Sequence, residues 1–209
     1  GSKFSISEVC STSWQRTKAQ IWVLSGLIIG MSIISFTLGV FAMPIQQSVM
    51  GAIVINLISC IISCIFALGY MKNIFQALDG EEPQFSAYGQ QARKIITYLV
   101  ANILMAIIVT LGLCLFIIPG IYLALRLQFY AALIVEDDAG IIESLQRSWE
   151  ITRGQEMSLF MLMLAMIGIC ILGLILLGIG IFVAMPLIYM MYAYVFRKLN
   201  APLQILEEV

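Results

Sequence analysis

The chain has 209 residues, of which 61% are hydrophobic and 11% are charged, whereas an ordinary soluble domain is about 25% charged. This composition excludes a soluble globular protein and predicts an integral membrane protein. The formal net charge of −1 gives no strong basic field, which argues against nucleic acid as a partner. Histidine is absent, and four of the five cysteines lie in apolar runs, so we expect no metal site, disulfide framework or cofactor.

Six apolar runs are long enough to cross a bilayer, whose hydrocarbon core of about 30 Å needs about 20 helical residues. In chain order they cover residues 20–43, 48–71, 95–117, 119–135, 157–178 and 181–197. The connectors within each successive pair are short and uncharged, whereas those between pairs are longer and charged. We therefore expect an all-α integral membrane fold in which six transmembrane helices form three helical hairpins in one domain, 1–209.

The N-terminal segment shows no cleavable signal sequence, so the first run is expected to remain as a spanning helix. Gly1 and Ser2 resemble the remnant of a protease cleavage site left by an expression vector. Every Lys and Arg except Arg126 lies in the N-terminal segment, the two connectors between pairs or the C-terminal segment. The positive-inside rule then predicts that this side, with both termini, faces the cytoplasm.

A polar segment that contains an aromatic residue precedes each pair of runs. Residues 11–20 read STSWQRTKAQ, residues 146–155 read QRSWEITRGQ, and a weaker copy at 85–94 reads FSAYGQQARK, with Tyr88 in the tryptophan position. The first two copies pair Ser13 with Ser148, Trp14 with Trp149, Thr17 with Thr152 and Lys18 with Arg153. We interpret the chain as three parallel pseudo-repeats, about 3–71, 74–135 and 139–198, each an amphipathic segment followed by two spans.

Residues 141–153 have the pattern of an amphipathic helix that lies in the membrane interface. Apolar positions recur at helical spacing, with Asp138 as a candidate N-cap; they are Ile142, Leu145, Trp149 and Thr152. Tryptophan favours the headgroup level, and a basic residue a few positions later can meet lipid phosphates. Trp14, Lys18, Trp149 and Arg153 are therefore candidate lipid-binding residues, and simple anchoring of the spans is the alternative.

Arg126 is a charged residue deep in the fourth run, near mid-bilayer if that helix is straight. An intramembrane charge costs roughly 2.5–3.5 kcal/mol and is a functional-site hypothesis by default. No acidic residue lies in any predicted span, so the expected partners are helix-end carbonyls, water, a lipid phosphate, Asn56, Asn102 or Thr110. Arg126 then either binds a ligand or locks the bundle by bonding to carbonyls.

Two further patterns carry weaker predictions. Glu136, Asp137 and Asp138 could hold Mg²⁺ through carboxylates, although a solvated helix junction fits them better because no acids converge from a second helix. Gly26 and Gly30 form a GxxxG pattern on the first run. This pattern predicts a close helix contact, either within the chain or between subunits.

The segment ESLQRSWEITRG, preceded by IIPGIYLALRLQFYAALIVEDD and followed by a Gly-rich apolar run, resembles a group of bacterial polytopic membrane proteins. These are the YciC-type proteins and the membrane domain fused to some glycerophosphodiester phosphodiesterases. The resemblance is best over about 110–198. It implies an all-helical protein of the bacterial cytoplasmic (inner) membrane without an agreed activity, and the phosphodiesterase activity does not carry over because no sizeable soluble region is present.

Three functions are compatible with these features. The first is a non-enzymatic protein that binds or moves lipid or amphiphile and serves envelope homeostasis. In this function Arg126, Lys18 and Arg153 meet an anionic headgroup. Its partners are membrane lipids, and a homo-oligomer or a membrane protein partner is the further option. The second is a small-molecule or anion transporter or channel whose path Arg126 lines. The third, a membrane-embedded lipid enzyme, is least supported because acid-base candidates are scarce.

Overall fold

The computed structural model describes residues 3–176 and 178–207, and every regular element in that part of the chain is helical. Gly1 and Ser2 lie outside the described residues. The helices are α1 Ile6–Ala19, α2 Ile21–Ala42, α3 Val49–Leu78, α4 Ser86–Gln91, α5 Ile95–Leu115, α6 Ile117–Leu127, α7 Tyr130–Asp137, α8 Ile141–Ile151, α9 Glu156–Ile175 and α10 Ile181–Glu207. Short 3-10 turns cover Ile45–Gln47 and Ala92–Lys94.

The six predicted spans are confirmed as helical segments long and apolar enough to cross a membrane. The segments are Ile21–Ala42, Val49–Leu78, Ser86–Leu115, Ile117–Asp137, Glu156–Ile175 and Ile181–Ala201. The fourth differs from the prediction because it consists of two helices, α6 and α7, rather than one. The protein is therefore an all-helical, multi-pass membrane protein with an irregular fourth span.

Pro186 lies inside α10, where it lacks the N–H that would bond to the carbonyl of Phe182. The hydroxyl of Ser25, on α2, donates to that carbonyl at 2.7 Å. Tyr70 of α3 donates to the carbonyl of Leu24 at 3.0 Å. One face of α2 is thus hydrogen-bonded to both α10 and α3.

The buried core lies toward one end of the bundle, here called the charged end: the end that carries α1 and the connectors 79–85 and 138–140. A helix of 30 residues such as α3 is about 45 Å long, which exceeds the hydrocarbon core of about 30 Å. Its last turns are buried together with most of α7 and most of the stretch 190–200 of α10. Toward the opposite end, large apolar side chains such as Phe36 and Leu174 are exposed, as expected of helices that face lipid.

The polar helices pack against different sets of membrane helices. α4 contacts α3, α8 contacts α5 as well as α6 and α7, and α1 contacts mainly α10 and also α3. α4 therefore lies on the second span of the pair that precedes it, and α8 lies across both spans of its preceding pair. α1 has no preceding pair and lies on the last span.

Small residues bring α5 and α6 close together. A methyl group added at Gly112 would lie 3.1 Å from the Cα of Gly120. Gly26 and Gly30 behave differently, because a methyl group at either would meet no atom within 4 Å. A close helix contact within the chain, one of the two predicted arrangements, is therefore wrong for these glycines. The side of α2 that carries Ser25 and the Leu24 carbonyl packs against α10 and α3, and the side that carries the glycines is open.

We expect Gly120→Ala to destabilise the fold, because its methyl group would lie 2.9 Å from the backbone nitrogen of Leu113. Overpacking of this kind costs about 1–3 kcal/mol. Thermal unfolding in detergent, followed by circular dichroism, measures the loss. Gly168→Ala in α9 is the matched control, since nothing lies within 4 Å of its added methyl group; equal melting of the two variants would contradict the packing argument.

Candidate functional site

The fourth span is broken at Gln128 and Phe129, between the end of α6 and the start of α7. A break in a membrane helix leaves backbone groups that need partners, because hydrocarbon supplies none. Ser148 of α8 provides two: its hydroxyl donates to the carbonyl of Arg126 at 2.7 Å and accepts from the N–H of Phe129 at 3.1 Å. The polar helix α8 is therefore bonded into the break.

Two more side chains complete the hydrogen bonding of the break. The amide of Gln128 turns back and donates to the carbonyl of Leu125 at 2.9 Å. The hydroxyl of Tyr192, from α10, donates to the carbonyl of Gln128 at 2.7 Å. Side chains of α8, of α10 and of the broken segment itself thus take up backbone groups at the break.

Arg126 is 3% exposed and lies two residues before the break. Four of the guanidinium's five N–H donors have partners within the chain: Thr152 Oγ1 at 2.9 Å, Tyr122 Oη at 2.7 Å, Glu156 Oε1 at 3.1 Å and the Trp149 carbonyl at 2.5 Å. The guanidinium carbon also lies 3.9 Å from the centre of the Trp149 ring, a cation–π contact. Arg126 therefore fixes the position of Trp149 and of the C-terminal end of α8.

Several expectations for Arg126 are corrected by these contacts. An acidic partner exists: Glu156, the first residue of α9, stands one position before the predicted fifth run. A helix-end carbonyl is also a partner, as expected, whereas Asn102 bonds to the hydroxyl of Tyr130 instead. Since the helix is broken rather than straight, Arg126 lies beside α8 and the start of α9, near the charged end.

The helix predicted over 141–153 is observed as α8, Ile141–Ile151, with a buried face shifted from the predicted one. Ile142 is 57% exposed. The buried positions are Ser144, Leu145, Ser148, Ile151 and Thr152. The hydroxyls of Ser148 and Thr152 bond to the broken span, whereas that of Ser144 donates to the carbonyl of Ile141 within α8.

The prediction that Asp138 caps α8 is wrong. Asp138 ends α7 with a left-handed backbone, φ 52°, and Gly140 occupies the N-cap position, where its N–H donates to the carboxylate of Glu143 at 3.1 Å. The side chain of Asp138 is instead drawn to two cations, Lys94 at 2.5 Å and Arg93 at 3.0 Å. The bond from Lys94 is the main reason that the pKa of Asp138 lies below its usual value.

The three consecutive acids after the fourth run face different cations. Glu136 pairs with Lys72 at 3.3 Å and with Arg197 at 2.9 Å, and Asp137 pairs with Arg147 at 2.8 Å. Because the three carboxylates diverge, they do not form a joint set of ligands for Mg²⁺. Within residues 3–176 and 178–201, no group of three metal-ligating side chains is found. Instead, the acids tie α3, α8 and α10 to the end of α7.

The predicted lipid-binding residues fall into two separate places. Trp149 and Arg153 border a surface concavity of 440 Å³ on α8, which Leu127, Leu145, Gln146 and Glu150 also line. Trp14 and Lys18 are on α1, which packs against α10. Lys18 and Arg153 are exposed, and neither forms an ion pair with any described residue.

The matched serine and threonine positions are equally buried but differently bonded. Ser13 and Thr17 are 0% exposed, as are Ser148 and Thr152. The hydroxyls of Ser13 and Thr17 have no hydrogen-bond partner among the described residues. The physical difference is that α8 lies on a broken span with free backbone groups, whereas α1 lies on the continuous helix α10.

These features define a six-span helical membrane protein whose fourth span is broken and bonded to an amphipathic helix. The chain belongs to the family described as a domain of unknown function (DUF7847), whose model matches residues 85–209. The match covers Arg126, Trp149, Arg153 and the break, but not α1, α2 or α3. No curated protein and no solved structure matches the chain.

We expect Ser148→Ala with Thr152→Ala to destabilise the protein, because Phe129 N–H and Arg126 Nε would lose their acceptors. A buried polar group left without a partner costs about 1–3 kcal/mol. Ser13→Ala with Thr17→Ala is the matched control, because it removes hydroxyls that bond to no described residue. Thermal unfolding in the same detergent compares the two pairs, and a control pair that melts as early as the test pair would refute the bonding scheme.

Arg126→Leu should also destabilise the fold, since Glu156 would lose its cation and Trp149 its ring contact. Removing one partner of a buried pair costs about 3–5 kcal/mol, and we expect about 2 kcal/mol here because the side chain of Glu156 is 33% exposed. The double variant Arg126→Leu with Glu156→Leu should recover part of that loss. Chemical denaturation of the two variants measures the recovery, and its absence would mean that the ion pair contributes nothing.

Proposed function

We propose that the protein is a non-enzymatic membrane protein that binds anionic lipid at the charged end of its bundle. The observation that carries the proposal is the pair of exposed cations Lys18 and Arg153, which lack an acidic partner among the described residues. Each follows a tryptophan by four positions, so the aromatic and the basic side chain share a helix end. An interfacial tryptophan beside a free cation matches a lipid phosphate in both depth and charge.

In this proposal the concavity beside Trp149 receives the headgroup, and Arg153 at its rim meets the phosphate. Arg126 acts as a positioning residue: it holds the Trp149 ring at 3.9 Å and uses four of its five donors inside the protein. Because little of its guanidinium is left for a solute, the alternative of an anion path lined by Arg126 has weaker support.

The proposal includes a membrane arrangement. The six spans form three hairpins in a parallel pseudo-repeat, with both termini in the cytoplasm and the protein in the bacterial inner membrane. The packing of α1, α4 and α8 against α10, α3 and α6–α7 supports three equivalent units, and the cation distribution supports the orientation. The resemblance to YciC-type proteins, and a role in lipid movement or envelope homeostasis, stay predictions.

We expect Arg153→Gln to reduce retention of anionic lipid about fivefold, which corresponds to about 1 kcal/mol for one cation near an anionic surface. Native mass spectrometry of protein from vesicles with equal phosphatidylglycerol and phosphatidylcholine measures the bound lipid. Arg93→Gln is the matched control: Arg93 is exposed at the same end but pairs with Asp138, which keeps Lys94. The proposal fails if both variants retain as much phosphatidylglycerol as the wild type.

A further inference from the structure

The concavity on α8 carries an acid as well as a cation. Its volume is 440 Å³, and Glu150 and Arg153 both line it. Both side chains are exposed, and neither forms an ion pair with any described residue. Glu143 and Glu156, the nearest acids before and after Glu150 in the sequence, each pair with an arginine. The concavity therefore presents two opposite charges that no described residue neutralises.

The backbone holds these two charges apart. Residues three positions apart on a helix can pair, but α8 ends at Ile151, before Arg153. The chain then turns, with Gly154 in the left-handed region at φ 77°, so Arg153 does not continue the face of α8 that carries Glu150. A ligand that reaches both side chains therefore has to bring an anionic group for one and a hydrogen-bond donor for the other.

We propose that the concavity selects a phosphodiester lipid whose headgroup carries hydrogen-bond donors, a selection that rests on the headgroup site proposed above. Arg153 binds the phosphate, because a guanidinium can donate two parallel hydrogen bonds to phosphate oxygens. Glu150 accepts from the rest of the headgroup, since an ionised carboxylate only accepts. Glycerol and ethanolamine headgroups both supply such donors, as hydroxyl or ammonium hydrogens.

The acid also determines which lipids the concavity rejects. The charged side chains of its lining are one cation and one acid, Arg153 and Glu150, so the lining as a whole is neutral. A phosphodiester brings one negative charge, which Arg153 neutralises, whereas a phosphomonoester brings about −1.5 to −2 at pH 7. The additional charge of the monoester would face Glu150, and like charges placed together oppose binding.

The backbone beneath Glu150 is held by Arg126. The carbonyl of Trp149, which forms the peptide bond to Glu150, accepts from the Arg126 guanidinium at 2.5 Å. The same guanidinium holds the Trp149 ring at 3.9 Å, and the two leucines of the lining, Leu127 and Leu145, are 6% and 7% exposed. Because the site is preorganised in this way, less conformational entropy is lost on binding, and a single hydrogen bond to Glu150 contributes to selectivity.

Competition between two anionic phosphodiesters tests the selection. The protein is reconstituted in phosphatidylcholine vesicles that contain equal amounts of phosphatidylglycerol and phosphatidylethanol, whose ethyl headgroup has no hydroxyl, and native mass spectrometry counts the retained lipids. We expect about fivefold more phosphatidylglycerol, as one hydrogen bond provides. Phosphatidic acid in a third mixture should be retained least. A parallel mixture with phosphatidylethanolamine in place of phosphatidylglycerol shows whether hydroxyl or ammonium hydrogens give the stronger preference.

Glu150→Ala should bring the ratio of phosphatidylglycerol to phosphatidylethanol to about one and should raise the retention of phosphatidic acid. Glu81→Ala is the matched control: Glu81 is an exposed acid at the same end but lies outside the concavity, so the wild-type ratio should persist. Arg153→Gln should lower the retention of both phosphodiesters to the same extent, which tests the headgroup site itself. Circular dichroism checks that each variant is folded.

Two results would overturn the selection and leave the headgroup site intact. The first is a wild type that retains phosphatidylglycerol, phosphatidylethanolamine and phosphatidylethanol equally, while Arg153→Gln still lowers retention. The second is a preference that Glu150→Ala keeps or that Glu81→Ala also removes, because it then does not arise from contact with Glu150. If Arg153→Gln changes the retention of no lipid, the headgroup site fails, and the selection fails with it.

Discussion

The fold depends on one constraint: backbone N–H and carbonyl groups within a bilayer must find partners inside the protein. The chain meets this constraint at an interruption of the fourth span. Hydroxyls and an amide from α8, α10 and the broken segment itself take over the missing hydrogen bonds. Because these groups come from helices far apart in sequence, the break determines where α8 lies and, through Arg126, how Trp149 is held.

Ion pairs at the charged end join the helices in addition to the hydrogen bonds at the break. The three acids at the end of α7 engage different basic residues, which joins this end of α7 to α3, α8 and α10. Five of the eleven Lys and Arg residues are paired in this way, and Lys18 and Arg153 are among those that form no ion pair with a described residue. Their place beside Trp14 and Trp149 gives the chemistry of the proposed lipid site.

The six spans could be predicted from the sequence because hydropathy over about 20 residues is a strong signal. The break could not, because residues 126–130 contain neither Pro nor Gly and favour a helix. The serine and threonine repeated on α1 and α8 mark buried polar faces, but the pair on α1 accompanies no break, so the repeat does not reveal one. The sequence pattern places Asp138 at the wrong helix end. Its carboxylate pairs with Arg93 and Lys94, which lie 44 and more positions away in sequence, and a local pattern does not contain such partners. The spacing of Gly26 and Gly30 predicts a helix face without side chains on α2, but it does not predict whether protein or lipid covers that face.

The two hydroxyls buried beneath α1 have a consequence for how the molecule opens. Stability within one protein is uneven, and segments whose burial costs more than it returns are released first. α1 buries Ser13 and Thr17 without the bonds that secure their counterparts on α8, and its ties to α10 run through the exposed side chain of Glu8. α1 is therefore held less by hydrogen bonds than α8 is, and its attachment depends on buried apolar side chains such as Val9 and on Glu8.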